Sequence, residues 1–208
     1  MVVRGPTVSL RYLVPGDAPA LFELARDPEV TRFFSWGPYR DESEPRAFIE
    51  RLEREREAGE RLELGIVANE GDRPIGLTGF SEFARRDRRA TLGTWLGRDH
   101  WGSGVNTESK ALVLSLGFRH LGLHRVTALA SPENRRSLRA LERIGFWTEG
   151  TLRDFHLHEE GPRDVAILRM LRDRFESGDL AKVPYEIEGE PPPAFVVSAP
   201  SGSSEPPG

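Results

Sequence analysis

The stretch Gly93-Thr94-Trp95-Leu96-Gly97-Arg98-Asp99-His100-Trp101-Gly102-Ser103-Gly104-Val105-Asn106-Thr107-Glu108 reads as the end of a strand, a glycine-bearing turn and the start of a helix. Glycine has no Cβ, so backbone N–H groups there approach a ligand closely. The first N–H groups of a helix have no internal partners, and the helix dipole makes that end partly positive. Such a turn is a cradle for a phosphate that needs no lysine. A plain flexible turn is the competing reading. The spacing is not Gly-x-x-x-x-Gly-Lys-Ser/Thr, which argues against a nucleoside triphosphatase loop. It also lacks the six-residue glycine spacing of a dinucleotide fingerprint.

Working outward from this turn, hydrophobic periodicity predicts strands at 7–13, 62–69, 74–83, 90–96, 124–130, 146–156 and 163–171. It predicts helices from Asp17, from Ser43 with Pro45 in the first turn, over 105–121 and over 134–144. Gly145 is the stop of the last helix. The order is β-α-α-β-β-β-α-β-α-β-β, a mixed α/β (α+β) pattern with about seven strands and about four helices. No internal repeat is evident.

The chain has 208 residues, enough for one domain with a full core. The expected domain covers 1–177. Residues 178–208 are expected to be a disordered tail rich in Pro, Gly and Ser, with Phe195-Val196-Val197 as an apolar run able to dock. There is no cysteine, which excludes disulfides, thiolate metal sites and a cysteine nucleophile. No apolar run is long enough to span a membrane, and the N-terminus lacks a secretory core, so a cytoplasmic location is expected. The net charge of −4 gives no reason to expect nucleic-acid binding. Lys110 and Lys182 are the only lysines.

The segment resembles the pyrophosphate signature of the Gcn5-related N-acetyltransferase (GNAT) family, Gln/Arg-x-x-Gly-x-Gly/Ala. Trp101 stands at the Gln/Arg position, Gly104 at the central Gly and Asn106 at the final Gly/Ala. The run 102–108 is closer to the Rim-type subgroup, which acetylates ribosomal-protein N-termini and related amines. A second motif, Asn134-Arg135-Arg136-Ser137 through Gly145-Phe146, resembles that subgroup's Asn-x-x-Ser…Gly-Phe. Glu149-Gly150, Arg153, Gly161 and Asp164 resemble its closing hairpin.

The resemblance implies a GNAT fold splayed between strands four and five, with acetyl-CoA as cofactor and an amine acceptor, either a protein N-terminus or a small amine. Dimers are frequent in the subgroup, so a homodimer is the family expectation. The implied cofactor contacts are Trp95, Leu96, Trp101, Gly102, Ser103, Gly104, Val105, Asn106, Thr107, Asn134, Ser137 and Arg143. Asn134 would meet the pantetheine arm, with a simple helix cap as its alternative. Ser137 would face the departing sulfur as general acid. Any of Arg136, Arg139 and Arg143 is either a solvated helix face or a contact to the 3′-phosphate.

Transfer to an amine by direct attack needs no covalent enzyme intermediate. Backbone N–H groups near Trp95, Leu96 and Gly97 are the candidate oxyanion donors. The subgroup's usual base position holds Thr91, which leaves Glu82 as the best carboxylate. Phe33, Trp36, Glu82 and His156 are the candidate acceptor contacts, with Phe34 and His158 beside them. For the two Phe, core packing is the alternative. For the two His it is an edge-strand surface pair, and two His alone fall short of a metal site. Thr91 and Asn106 also motivate a second reading, a silent acyl-CoA-binding sensor on the same fold.

Overall fold

The computed structural model describes residues 1–158 and 160–197. They build one nine-stranded sheet. Its strands are β1 (Val2–Arg4), β2 (Val8–Arg11), β3 (Leu62–Ala68), β4 (Pro74–Ala84), β5 (Arg89–Leu96), β6 (Arg125–Ala130), β7 (Trp147–His158), β8 (Gly161–Leu171) and β9 (Glu186–Glu188). Their spatial order is β7-β8-β6-β5-β4-β3-β2-β1-β9. Every neighbouring pair is antiparallel except β5 and β6. That one parallel pair follows from the helical crossover between them, since parallel neighbours cannot be joined by a tight turn. The seven expected strands are all present. β1 and β9 are additions, each only three residues long and too short to show a period of two.

The helices are α1 (Ala18–Ala25), α2 (Pro28–Thr31), α3 (Ser43–Glu57), α4 (Val105–Ser115), α5 (Arg135–Arg143) and α6 (Arg172–Glu176). On one face of the sheet, Ala18 and Leu21 of α1 and Ile49 of α3 bury against Leu77 of β4. On the other face lies α4, whose residues 109–115 are all buried. A helix sealed on all sides belongs to a core rather than a surface. It continues as a wider turn over Leu116–His120, close to the expected end of the helix.

The tail expectation needs correction as far as residue 197. The chain forms a short helical turn at Asp179–Lys182, adds β9 to β1, and turns again at Pro193–Phe195. Phe195 is 1% exposed, with its ring 4.7 Å from that of Phe83. The Val197 N–H donates to the Leu121 carbonyl at 2.8 Å. Composition predicted disorder because this segment cannot bury much of itself. It buries Leu180 and Phe195 on a surface the domain has already built. Residues 198–208 of the expected tail lie outside the described residues.

Candidate active site

β5 and β6 pair only from Arg89 opposite Arg125 to Leu92 opposite Ala128. Beyond that point β5 stays with β4, where Gly93 faces Gly79 and Leu96 faces Gly76. β6 stays with β8, where Ala130 faces Ala166. The two strands therefore part, and a cleft of about 1060 Å³ opens at the fork. The Gly97 N–H is spent on the Ile75 carbonyl at 2.9 Å. Strand alternation then turns the N–H of Trp95 toward β4 and those of Thr94 and Leu96 toward the gap. Of the three expected oxyanion donors, only Leu96 faces the fork.

The glycine turn closes one end of the cleft. The Trp101 indole Nε1–H donates to the Leu96 carbonyl at 2.9 Å and ties the turn to the strand end. Gly102 (φ +79°) and Gly104 (φ +91°) both adopt the left-handed backbone that disfavours a side chain. A Cβ added at either would meet nothing within 4 Å, so the space over these amides is open. The amides of Thr107 and Glu108 bond the Gly104 carbonyl. Those of Val105 and Asn106 precede any helical acceptor. This cradle fits a pyrophosphate, and the fork beyond it, with unpaired strand edges, fits an amide-bearing arm.

Gly102, Gly104, Asn106 and Thr107 line the cleft with Trp95, Leu96 and Trp101. Two proposed contacts do not. The Ser103 hydroxyl turns back to the His100 carbonyl at 2.8 Å, and Val105 packs on the core. Their side chains serve the turn and the core, leaving at most backbone for a ligand. Glu108 is also spent structurally. It accepts from the backbone N–H of Thr7 at 2.7 Å and of Val8 at 3.0 Å, stapling the start of α4 to β2.

α5 forms the far wall. Asn134 caps it, its Oδ1 accepting from the Ser137 N–H at 3.0 Å, and Asn134 also lines the cleft. The cap and ligand readings are therefore compatible. Ser137, Arg136, Arg139 and Arg143 line the same wall. The Arg136 guanidinium carbon lies 3.4 Å from the Trp101 ring centroid. Trp101 thus brings a cation to the turn that its own side chain lacks.

The residues expected to meet the acceptor lie on the sheet face shared with α1 and α3. Leu77, Gly79 and Ser81 on β4 lie opposite Trp95, Gly93 and Thr91 on β5. A register shift follows Ser81, and Glu82 has φ +52°, a strained value for a non-glycine residue. The bulge turns Glu82 back onto Ser81's face. There its carboxylate accepts from the Thr91 hydroxyl at 2.7 Å, and both residues line the cleft.

Phe33 and Trp36 line this end too. Trp36 stacks on Phe34 at 5.2 Å and meets Trp95 edge-on at 5.9 Å, so the aromatic cluster is a wall built onto β5. His156 and His158 project from the overhanging β7–β8 hairpin into the cleft. Asp164 holds that overhang by accepting from the Asp154 N–H at 3.0 Å and Arg153 at 2.6 Å, and both bonds keep its carboxyl below the usual range. Burial first, then Arg163, pushes the His158 imidazole down.

Two cleft residues escaped the sequence reading. Glu63 on β3 pairs with Gly79, and burial pushes its carboxyl up. The alternation Leu62-Glu63-Leu64 was the available signal, since it turns Glu63 away from the leucine core. Lys110 was marked by being the one charge in the otherwise uncharged stretch 109–118. It is 5% exposed, its Nζ donates to Asn106 Oδ1, and burial pushes it down to about 7.

The sequence profile of the Acetyltransferase (GNAT) domain matches residues 7–147. The uncharacterized N-acetyltransferase p20 of Bacillus licheniformis is 32% identical over 168 residues, covering 81% of this chain and 94% of its own. The [ribosomal protein uS5]-alanine N-acetyltransferase of Escherichia coli is 31% identical over 135 residues, 62% of this chain and 70% of its own. The crystal structure of a GNAT-family acetyltransferase from Bacillus anthracis has the same fold, with a TM-score of 0.74 at 21% identity over 83% of this chain and 99% of that one. A profile match over more than half the chain, with the forked sheet and glycine cradle in place, shows that this chain belongs to the Gcn5-related family of acetyl-CoA-dependent N-acetyltransferases.

Proposed function

We propose that the chain moves an acetyl group from acetyl-CoA to a primary amine, a protein N-terminus or a small amine, by direct attack in a ternary complex. The observation that carries this reading is Glu82, a carboxylate turned by a strained bulge onto the acceptor face beside the fork. Acetyl-CoA supplies the activated acetyl group and a thiol leaving group. Glu82 takes the proton from the incoming ammonium, directly or through a water. The N–H groups of Thr94 and Leu96, turned toward the fork, are the donors for the oxyanion that develops on attack. Ser137 holds a proton at Oγ for the departing sulfur. Asn134, Arg143 and the amides of the glycine turn hold the cofactor, while Phe33, Trp36 and His156 border the acceptor.

The E. coli relative is named for an alanine of ribosomal protein uS5, which supports including N-terminal peptides among the acceptors. The test is incubation with acetyl-CoA and a panel of N-terminal peptides and small amines, read by free thiol and by mass spectrometry of the amine. An acetylated amine is the expected product. Cofactor binding with no thiol release on any amine would instead favour a silent acyl-CoA sensor.

A further inference from the structure

Lys110 lies in the buried middle of α4, yet its side chain lines the cleft. Among the described residues no carboxylate approaches its Nζ within ion-pair distance; the one partner is the neutral amide oxygen of Asn106, a turn earlier. An ammonium offers three donors, and Asn106 takes one. A buried cation without a counterion is costly, and proteins normally pair or hydrogen-bond it fully. Burial alone moves its proton affinity, so no other charge compensates it. The cleft that Lys110 lines is also lined by Ala128, Leu129 and Ala130 of β6, whose side chains supply no anion.

Side chains on a helix lean toward its N-terminus, and the bond to Asn106 draws the Lys110 ammonium back about one turn, toward the glycine cradle. The same cleft runs from that cradle to Ala128, Leu129 and Ala130 in the fork. An acyl-CoA arm leaving a pyrophosphate on the cradle would pass the ammonium on its way into the fork.

We propose that Lys110, oriented by Asn106, is a binding residue that donates a hydrogen bond to a carbonyl oxygen of the acyl-CoA arm. Asn106, which departs from the small residue of the family signature, then acts as the positioning residue for that donor.

Calorimetric titration of the full chain tests this without any acceptor, so it stands apart from the identity of the amine. Two probes are used: acetyl-CoA, and adenosine 3′-phosphate 5′-diphosphate, which keeps the phosphates and lacks the arm. Lys110→Met is expected to weaken acetyl-CoA by about tenfold or more, the scale of a hydrogen bond to a charged group. The arm-free nucleotide should bind within about twofold of wild type, a negligible free-energy change on that scale. Asn106→Ala should reproduce the same selective loss, and it supplies the result if Lys110→Met does not fold. Equal weakening of both probes would assign Lys110 to the phosphates or to the fold and overturn the proposal. Unchanged binding of both probes would overturn it as well.

Discussion

The Thr91 hydroxyl donates a 2.7 Å hydrogen bond to Oε2 of Glu82 across the β4–β5 ladder. The position where the resemblance implied a base thus holds a hydroxyl that orients a carboxylate from the neighbouring strand. Glu82→Gln should lower kcat by about 10²–10⁴, the usual worth of a positioned acid or base. Acetyl-CoA affinity should not change. Adding Thr91→Glu to that variant should recover part of the rate, because a carboxylate then returns to the same face. Steady-state kinetics of the single and double variants check both statements.

Ser137 and Asn134 share a hydrogen bond but should separate by assay. Ser137→Ala keeps the N–H that Asn134 caps and removes only the hydroxyl. It should lower turnover with little effect on acetyl-CoA binding. Asn134→Ala should cost about 1 kcal/mol of stability as a lost N-cap. It should also weaken the cofactor. Urea unfolding and calorimetry together distinguish the two.

Gly104 has φ +91° at the N-cap of α4, beneath open space. Gly104→Val forces a β-branched side chain into a left-handed backbone, which costs about 1–2 kcal/mol before any ligand is present. It also fills the space over the amides. Acetyl-CoA affinity should fall by more than tenfold, or about 1.4 kcal/mol. Affinity equal to wild type would break the cradle argument.

Lys110 gives stability a pH signature of unusual sign. Its folded value is lowered from 10.5 to about 7 by burial. Between those limits the unfolded chain holds a proton that the folded chain has lost. Stability therefore rises as pH climbs from about 7 toward 10, and the penalty is complete below 7. Urea unfolding at pH 7 and pH 9 should show this rise in the wild type. Lys110→Met should lack it and be the more stable protein at pH 7.

Phe195 closes the tail onto Phe83 and is fully buried. Phe195→Ala should lower stability by about 3 kcal/mol, in the range for a buried aromatic. Removal of 198–208 alone should leave acetyl-CoA affinity unchanged. Thermal unfolding of the two variants, with calorimetry on the truncated chain, provides the check.

The elements of the fold were legible in the sequence because they are local. Periods of 2 and 3.6, glycine punctuation and helix caps act over a few residues. They sufficed for seven strands, for the glycine turn at 102–104 and for α5 with its cap at Asn134. The tertiary structure decided what depends on partners distant in sequence. The bulge that turns Glu82 toward Thr91 is a register event between two strands. Residues 178–197, expected to be disordered, are anchored because Phe195 finds a surface made by Phe83 and its neighbours. Trp101 carries Arg136 only because α5 returns to the turn. The glycine turn still reads as a phosphate cradle, but two of its residues, Ser103 and Val105, point elsewhere. Alternation also leaves only one of the three expected oxyanion N–H groups facing the fork. Periodicity reports which residues share a face of their own element. Which group meets which across the cleft is set by packing between elements, where burial and hydrogen bonding are satisfied together.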